Sequence, residues 1–395
     1  MTESGTTNGA AGCPEYELLL VAARARFQPE AREMLLEAVG SRQDWNHVSQ
    51  LATAHGLLPL LVRQIDQDCP DFLPPAAREI LQKRFEENTL RTFLMACELI
   101  RLLDLFDAHG IQAIPFKGPA LAVLIYGDFS LRQADDLDIL IHEQDFWKAS
   151  ELLESRGFLR HPPILRDQFK IYSRLECDMT FVHGSSGLRI DLHWNFVPPH
   201  LGFSYETEPL WRRLESLDLI GRSIPALPME DQLLLMCLHG SKHMWNHLEW
   251  ICGVAGLLDG EKTLDWDRLS QRAKDCGGQR ALALGLLLAR DMLDAKLPPQ
   301  ALAEIGRERI SAELAQEVRK GLGAGSAQGL RRLTWFQFRL IKSPGGRIRY
   351  CFSRSMLPSY KDLGWVHLPS SLSFLYFFLR PIRLMVLRVQ AAMLR

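Results

Sequence analysis

Two carboxylates, Asp136 and Asp138, stand one residue apart and lead directly into the apolar residues 139–141. In a strand, side chains two positions apart point to the same face, about 7 Å from each other. Two acids placed there repel each other and resist burial unless a cation neutralises them. Oxygen ligands of this kind suit Mg²⁺ that is bound together with substrate phosphates. The alternative is a polar strand entry in which both acids are solvated.

A third acid, Asp191, lies in another apolar segment, residues 188–194. The segment alternates, so that Arg189, Asp191 and His193 face one way and the apolar residues face the other. Asp191 could be a structural hydrogen-bond partner of Arg189 or His193. It could equally be the base or metal ligand that prepares an attacking hydroxyl.

Lys117 and Gly118 lie between a predicted strand and a predicted helix. A helix N-terminus offers free N–H groups and the positive end of the helix dipole, and Lys117 adds a further charge. Because Gly118 also permits close backbone approach, this segment could hold nucleotide phosphates. It could also be a plain strand-to-helix turn. Arg132 could contact phosphate as well, or it could pair with Asp135 or Asp136.

Three histidines, His239, His243 and His247, are spaced four residues apart and would share one face of a helix. A zinc site is one interpretation of this spacing, and substrate contact or buried packing is favoured over it. The segment has no Glu at the position that an H-E-x-x-H motif requires and no cysteine pair nearby. We therefore expect His239, Lys242 and His243 either to contact substrate or to pack as buried polar groups.

The elements that must position these side chains follow from periodicity and from turn residues. Residues 15–110 have helical patterns, with Asp44 as the cap of one helix and a long helix from 75 to about 108. The rest is predicted as a strand at 111–116, a helix at 120–126, a strand from Asp136, a helix at 144–156, strands at 172–183 and 187–196, and helices from 228 to about 320.

These elements predict an α+β fold, in which a small mixed sheet is flanked by N-terminal and C-terminal helical regions. The expected division places a core with the sheet between two helical parts of the chain. Its bounds are a disordered tail at 1–14, a helical region at 15–110, the core at 111–227, a helical domain at 228–329 and a basic aromatic region at 330–395.

The composition is that of a globular protein: 395 residues, 47% hydrophobic and 24% charged, with a net charge of −1. The near-zero charge argues against a generic nucleic-acid binder. Eight cysteines without a C-x-x-C pair favour reduced thiols, and the first twelve residues contain no signal region. No stretch of 18 uninterrupted apolar residues occurs, so a spanning helix is not expected. The expected location is the cytoplasm, with peripheral membrane association as an option.

Residues 330–395 contain 12 Lys/Arg and one acid, a balance of +11 that leaves −12 on the first 329 residues. This asymmetry predicts a basic surface for an anionic partner. One candidate is an anionic membrane surface, with Arg380, Arg383 and Arg388 at the headgroups. The others are the acidic body of the same chain and RNA, because aromatic and basic residues interleave. Docking on the body is favoured, since the aromatics are too evenly spread to form one amphipathic face.

The order Lys-Gly at 117–118, Arg-x-x-x-Asp-x-Asp at 132–138 and Asp-x-His-Trp at 191–194 resembles the nucleotidyltransferase fold shared with DNA polymerase beta. More narrowly, the chain is similar to a bacterial family of uncharacterised nucleotidyltransferases. Ala-x-x-His-Gly-Leu-Leu-Pro at 52–59 resembles that family's N-terminal helical region, and Leu-His-Gly-Ser-Lys-His-x-Trp at 238–245 resembles its downstream helix. The resemblance covers roughly residues 40 to 260.

The resemblance implies transfer of a nucleoside monophosphate from a nucleoside triphosphate to an acceptor by in-line displacement. It implies Mg²⁺, with Mn²⁺ as a substitute, held by Asp136 and Asp138, with Asp191 as a further ligand that assists the acceptor. Lys117 and Gly118 stand where the superfamily has a Gly-Ser phosphate turn. The acceptor is not specified: a sugar phosphate, a protein, RNA or a small molecule would each fit.

Two departures from the family pattern put activity in question. Pro119 replaces the Ser of the phosphate turn and has neither a hydroxyl nor an N–H, so phosphate binding would depend on Lys117 and Arg132. Gly253 stands where the family usually has an acid, and none follows until Asp259. The alternative function is therefore a catalytically inactive binding or scaffold protein, with association at a membrane surface as an option.

Overall fold

The structure is a computed structural model. It describes residues 13–28, 31–41, 43–260, 264–322, 329–357, 362, 365–366, 368, 372 and 375–393, with the backbone alone at 25, 27, 384 and 387–393. Most of the predicted N-terminal tail therefore lies outside the described residues. The first helix begins at Pro14.

Helices form the N-terminal part of the chain, as predicted. Asp44 accepts hydrogen bonds from the backbone amides of Asn46 and His47, which confirms the predicted cap. The predicted long helix is also confirmed and has 34 residues. The helices are α1 (Pro14–Phe27), α2 (Arg32–Gly40), α3 (Trp45–Ala54), α4 (Leu58–Asp68) and α5 (Pro75–Ala108).

A five-stranded mixed sheet follows, with strand order β1-β2-β5-β4-β3. β2 and β5 are parallel, and the other neighbouring pairs are antiparallel. The predicted α+β fold with a small mixed sheet is thus confirmed. The elements are β1 (Ala113–Pro115), α6 (Gly118–Tyr126), β2 (Asp136–Ile141), α7 (Phe146–Ser155), β3 (Phe158–His161), α8 (Phe169–Leu175), β4 (Asp178–His183), β5 (Arg189–His193), and a separate hairpin of β6 (Glu215–Leu219) and β7 (Arg222–Ala226).

The strand predicted over 172–183 is wrong in its first part, because Phe169–Leu175 is a helix and the strand begins at Asp178. The buried residues Phe169, Tyr172 and Leu175 recur every three positions, a helical spacing. The indole N–H of Trp194 donates to carbonyls in and just after this helix, at 3.2 and 3.1 Å, and holds it against the end of β5. Strand β3 and the hairpin were not predicted.

Helices return after residue 228, as predicted. α10 packs closely on α9, since a Cβ at Gly253 would lie 2.5 Å from the side chain of Met236. Gly253 therefore has a packing role where an acid was expected. The helices are α9 (Met229–Lys242), α10 (Leu248–Asp259), α11 (Trp266–Asp275), α12 (Gln279–Leu293), α13 (Pro299–Gly306), α14 (Arg309–Leu322), α15 (Leu330–Leu340), α16 (Pro344–Met356) and α17 (Tyr376–Met393).

The sheet lies between two apolar cores. Leu137 and Ile139 of β2 belong to one core, together with Phe106 of α5 and Phe146 of α7. Leu140, on the opposite face of β2, belongs to the core of the helical body. Side chains alternate along a strand, so the even-numbered acids of β2 point toward that helical body.

The first two helices of the basic region pack on the body of the chain. Phe336 and Leu340 of α15 and Tyr350 of α16 are buried. The Gln337 amide donates to the backbone carbonyl of Lys242 at 2.8 Å, which joins α15 to the end of α9. Of the three predicted partners, the acidic body is the one that these helices contact. The ion pairs are Arg332 with Glu317, Arg339 with Glu313 and Glu317, and Lys342 with Glu308.

The last helix, α17, differs from α15 and α16. Arg380 and Arg383 pair with the buried carboxylate of Asp362, whereas Phe378, Ile382 and other apolar side chains are exposed. The Arg388 side chain lies outside the described residues. Contact with membrane or RNA stays a prediction.

All eight cysteine thiols are free. Within the part of the chain that the structure describes, none of the helices has the length and apolar character needed to cross a bilayer. The cytoplasmic location stays a prediction.

Candidate active site

The three predicted acids lie on one face of the sheet. Asp138 of β2 and Asp191 of β5 are direct neighbours in the parallel pairing, and Asp136 precedes them on the same face of β2. His193 also lies on this face, beside Leu140. The strand alternation seen in the sequence therefore places these side chains as predicted.

Asp138 lies at the centre of this group. Its Oδ1 atom is 2.8 Å from Lys117 Nζ and 3.0 Å from His193 Nε2. Its side chain is 4% exposed. A buried carboxylate of this kind needs such partners, because an unpaired buried charge is strongly unfavourable.

One ligand atom each from Asp138, Asp191 and His193 lie within 4.8 Å of one another. The two carboxylates fit a divalent metal such as Mg²⁺ or Mn²⁺, with His193 beside them as the hydrogen-bond partner of Asp138. Asp136 is on the same face but is not part of this closest group. His193 was predicted only as a partner of Asp191. Its position two residues after Asp191 on an alternating strand was the signal that could have identified it.

The charges in the group shift one another's pKa values. Burial favours the neutral form of Asp138, but the Lys117 ammonium and His193 override burial and hold the Asp138 pKa below its ordinary value. Burial, and then repulsion from Asp138 and Asp191, raise the pKa of Asp136 to about 6. Burial and Asp138 also raise the pKa of Asp191. Burial and the neighbouring carboxylates thus disfavour the ionised forms of Asp136 and Asp191, and a bound cation would favour those forms.

Asp191 has fewer strong partners than Asp138. The Thr180 hydroxyl donates to Asp191 Oδ1 at 2.7 Å, and Arg189 Nη2 lies 3.9 Å from the same atom. Its side chain is 17% exposed. Asp191 is thus more accessible to a substrate group than the buried Asp138.

The helix α6 begins at Gly118, directly beside the acids. Gly118 has a φ of +57°, and an added Cβ would lie 3.3 Å from the carbonyl oxygen of Asp136. Glycine is therefore suited both to the backbone conformation and to the close approach of the two segments. Pro119 supplies no N–H to this turn, as expected from its sequence.

Arg132 does not pair with Asp135 or Asp136, so that predicted alternative is wrong. Its guanidinium pairs with Glu249 of α10, and the two side chains are only 10% and 6% exposed. The Glu249 amide donates to the carbonyl of His55 at 3.1 Å. Arg132 thus links the sheet to the helical body and to the N-terminal region. A phosphate contact by Arg132 stays a prediction.

His239 and Lys242 line a cavity of about 20 Å³ together with Lys117. His239 lies on α9, but the helix ends at Lys242, and Met244 and Trp245 have positive φ angles. The three histidines predicted to share one helical face therefore do not do so.

The His239, His243 and His247 rings instead surround Trp250, with centroid distances of 5.0, 5.5 and 4.8 Å. Burial, and next the charge of Lys242, lower the pKa of His243 to about 3. Burial and then Lys117 hold the pKa of His239 well below its ordinary value. The lowered pKa values favour the neutral forms of these two histidines, so the charged side chains that line the cavity are Lys117 and Lys242.

An acid face beside a helix N-terminus, on a small mixed sheet flanked by helices, is the arrangement of a nucleotidyltransferase core. Residues 41–294, more than half of the 395-residue chain, match the family described as "Uncharacterised nucleotidyltransferase". The chain belongs to this family, which confirms the resemblance seen in its motifs.

Among solved structures, the chain is similar to an antigenic nucleotidyltransferase-like protein from Paracoccidioides brasiliensis. The two share 13% sequence identity, with a TM-score of 0.27, over 60% of this chain and 93% of that one. A likeness this distant carries no argument about function. No curated protein matches the chain.

Proposed function

We propose that the protein transfers a nucleoside monophosphate from a nucleoside triphosphate to an acceptor, with Mg²⁺ or Mn²⁺ as the cofactor. The observation that carries this proposal is the convergence of Asp138, Asp191 and His193 on one point of the sheet face, beside the start of α6. Family membership supports the reaction class.

In this proposal the three acids have different roles, which follow from their different environments. Asp136, Asp138 and Asp191 would hold the metal, and when bound it would supply charge stabilisation at the α-phosphate and at the leaving group. Asp191, the more accessible member of the closest group, faces the acceptor and prepares its hydroxyl. His193 orients Asp138 through their hydrogen bond.

The phosphates would lie at the N-terminus of α6. Gly118 allows close approach of the phosphates. Lys117 supplies a positive charge in place of the hydrogen bond that a Ser hydroxyl would donate. His239 and Lys242, which line the cavity with Lys117, would contribute to the same site, with His243 next to His239. Lys242 would contact the leaving phosphates by charge, and the neutral histidines would act as hydrogen-bonding groups.

Calorimetry with MnCl₂ and a mixture of nucleoside triphosphates tests the metal site. We expect wild-type protein and Asp135→Asn to bind nucleotide in a metal-dependent way, and Asp138→Asn to lose that binding. Asp135 is the matched control because its side chain is 81% exposed and pairs with Arg91. Equal metal-dependent affinity in all three proteins would remove the proposal. If the expected loss in Asp138→Asn is observed, a screen of labelled nucleotides for transfer onto cell extract would identify the nucleotide and the acceptor.

The second candidate is a binding or scaffold protein without catalysis. Two observations favour it: Pro119 removes donors from the phosphate turn, and Lys117 already neutralises Asp138 without a metal. This candidate predicts a folded wild-type protein that shows no metal-dependent nucleotide binding and no transfer. The same calorimetry distinguishes the two.

A further inference from the structure

Lys117 is placed on the acid face itself. Its ammonium is 2.8 Å from Asp138 Oδ1, and its side chain is 19% exposed. Asp136 and Asp191 also attract its charge. The ammonium is therefore a cation supplied by the chain at the place where the acids need one.

This position creates a competition. A divalent cation held by Asp138 and Asp191 would share Asp138 with the ammonium, and two cations a few ångströms apart in a half-buried site repel each other strongly. A metal can bind well only if the ammonium finds another anionic partner. The start of α6, where Lys117 is the residue before the helix, is where an anionic phosphate chain is most favourable.

We propose that Lys117 couples metal binding to nucleotide binding. This inference rests on the proposed function. Without nucleotide, the ammonium neutralises Asp138 and opposes a metal ion. When a triphosphate lies at the start of α6, the ammonium turns to the phosphates and leaves the Asp138 carboxylate for the metal. Because linkage is reciprocal, metal then favours nucleotide by the same factor.

The side chain has the properties that this exchange requires. Lysine carries a compact charge on a flexible four-carbon chain, so a small rotation moves its ammonium between neighbouring anions. The Lys117 side chain is 19% exposed and also lines a small cavity with His239 and Lys242, so packed groups do not enclose it completely. His193 keeps its hydrogen bond to Asp138 in either position, so the carboxylate does not lose all its partners.

The test is Mn²⁺ binding by calorimetry in the absence of nucleotide. We expect Lys117→Gln, which removes the charge and keeps a donor for Asp138, to bind Mn²⁺ at least tenfold more tightly than wild type. Lys117→Met should do the same and serves as the second variant if Lys117→Gln folds poorly. Lys117→Arg keeps the charge and should stay weak. Lys320→Met, which removes an exposed charge on α14 outside the site, should change Mn²⁺ affinity little.

A second measurement follows the phosphate side of the exchange. The Mn²⁺ complex of inorganic triphosphate should bind Lys117→Gln at least tenfold less tightly than wild type. The double variant with Lys117→Gln and Asp138→Asn should lose the gain in Mn²⁺ affinity. That loss would show that the additional Mn²⁺ binding depends on Asp138.

Wild-type affinity for Mn²⁺ in Lys117→Gln and Lys117→Met, or unchanged triphosphate affinity, would overturn the coupling. This failure differs from failure of the proposed function, in which Asp138→Asn has no effect on metal-dependent nucleotide binding.

Discussion

Two carboxylates on neighbouring strands have different environments and therefore different expected roles. Asp138 is buried and contacts both Lys117 and His193, whereas Asp191 is more exposed and accepts a hydrogen bond from Thr180. A buried carboxylate with two hydrogen-bond partners is held in one orientation, which suits the binding of a metal ion. A more accessible one suits contact with a second substrate.

Asp191→Asn should therefore lose turnover by 10²-fold or more while it keeps much of its nucleotide affinity. Asp138→Asn should lose both. Transfer of labelled nucleotide and calorimetry on the same preparations measure the two quantities, with Asp135→Asn as the control. A collapsed thermal transition in Asp191→Asn would indicate a structural role instead.

Glu176 gives a pH-dependent prediction. Burial, and then the neighbouring charge of Asp178, raise the pKa of Glu176 to about 7 from an ordinary value of 4.5. As the pH rises through this range, the unfolded chain ionises this carboxyl before the folded protein does, so the free energy of unfolding falls.

Glu176→Gln should raise the free energy of unfolding at pH 8 by about 1–3 kcal/mol and leave it nearly unchanged at pH 4. Urea unfolding at the two pH values measures this. An equal change at both values would show that the pKa shift is not the cause.

At the scale of elements, the site depends on how α10 is joined to the sheet. The buried pair of Arg132 and Glu249 makes this connection, and the Glu249 amide adds a hydrogen bond to the loop after α3. An added Cβ at Gly56 would lie 2.9 Å from the Cβ of Glu249, so this loop also packs closely on α10. The family-like segments around residues 52–59 and 132–138 thus meet at one place, far from each other in sequence.

Arg132→Met should lower the free energy of unfolding by about 3–5 kcal/mol, because it leaves the Glu249 carboxylate buried and unpaired. The double variant with Glu249→Gln should recover a large part of that loss. Urea unfolding of the wild type, the two single variants and the double variant gives the coupling free energy between the two side chains. If Arg132→Met instead keeps wild-type stability and loses nucleotide affinity, the predicted contact of Arg132 with phosphate is supported.

At the scale of the whole molecule, the charge asymmetry of the chain is partly neutralised internally. α15 and the loop that follows it bring basic residues onto Glu308, Glu313 and Glu317, and α15 contacts the end of α9 next to the candidate site. Burial of Phe336 adds apolar packing to these ion pairs. The exposed apolar residues of α17 are not explained by this docking.

Deletion of residues 330–395 should lower stability or solubility, because it exposes the surface on which α15 and α16 pack. As a point test, Phe336→Ala should cost about 3–5 kcal/mol, since Phe336 is 0% exposed. Its neighbour Trp335 is 59% exposed, and Trp335→Ala should cost about 1 kcal/mol or less. Thermal and urea unfolding measure both.

Vesicle binding separates docking from a membrane role. We expect weak binding of the full-length protein to vesicles with anionic lipid. Salt should weaken any such binding, because charges are screened over about 8 to 10 Å at physiological ionic strength. Strong, salt-sensitive binding by the full-length protein, together with a stable truncated protein, would contradict docking on the body.

The sequence by itself determined the features that depend on local periodicity. Alternation placed Asp136 and Asp138 on one face of their strand and Asp191 with His193 on one face of another, and capping and turn residues located α3, α5 and α6, because these signals act over a few residues. The tertiary structure decided which distant groups meet. It placed Arg132 on Glu249, His193 on Asp138 and the three histidines around Trp250. Charge and burial select these partners only once the chain is folded, and no local pattern encodes that choice.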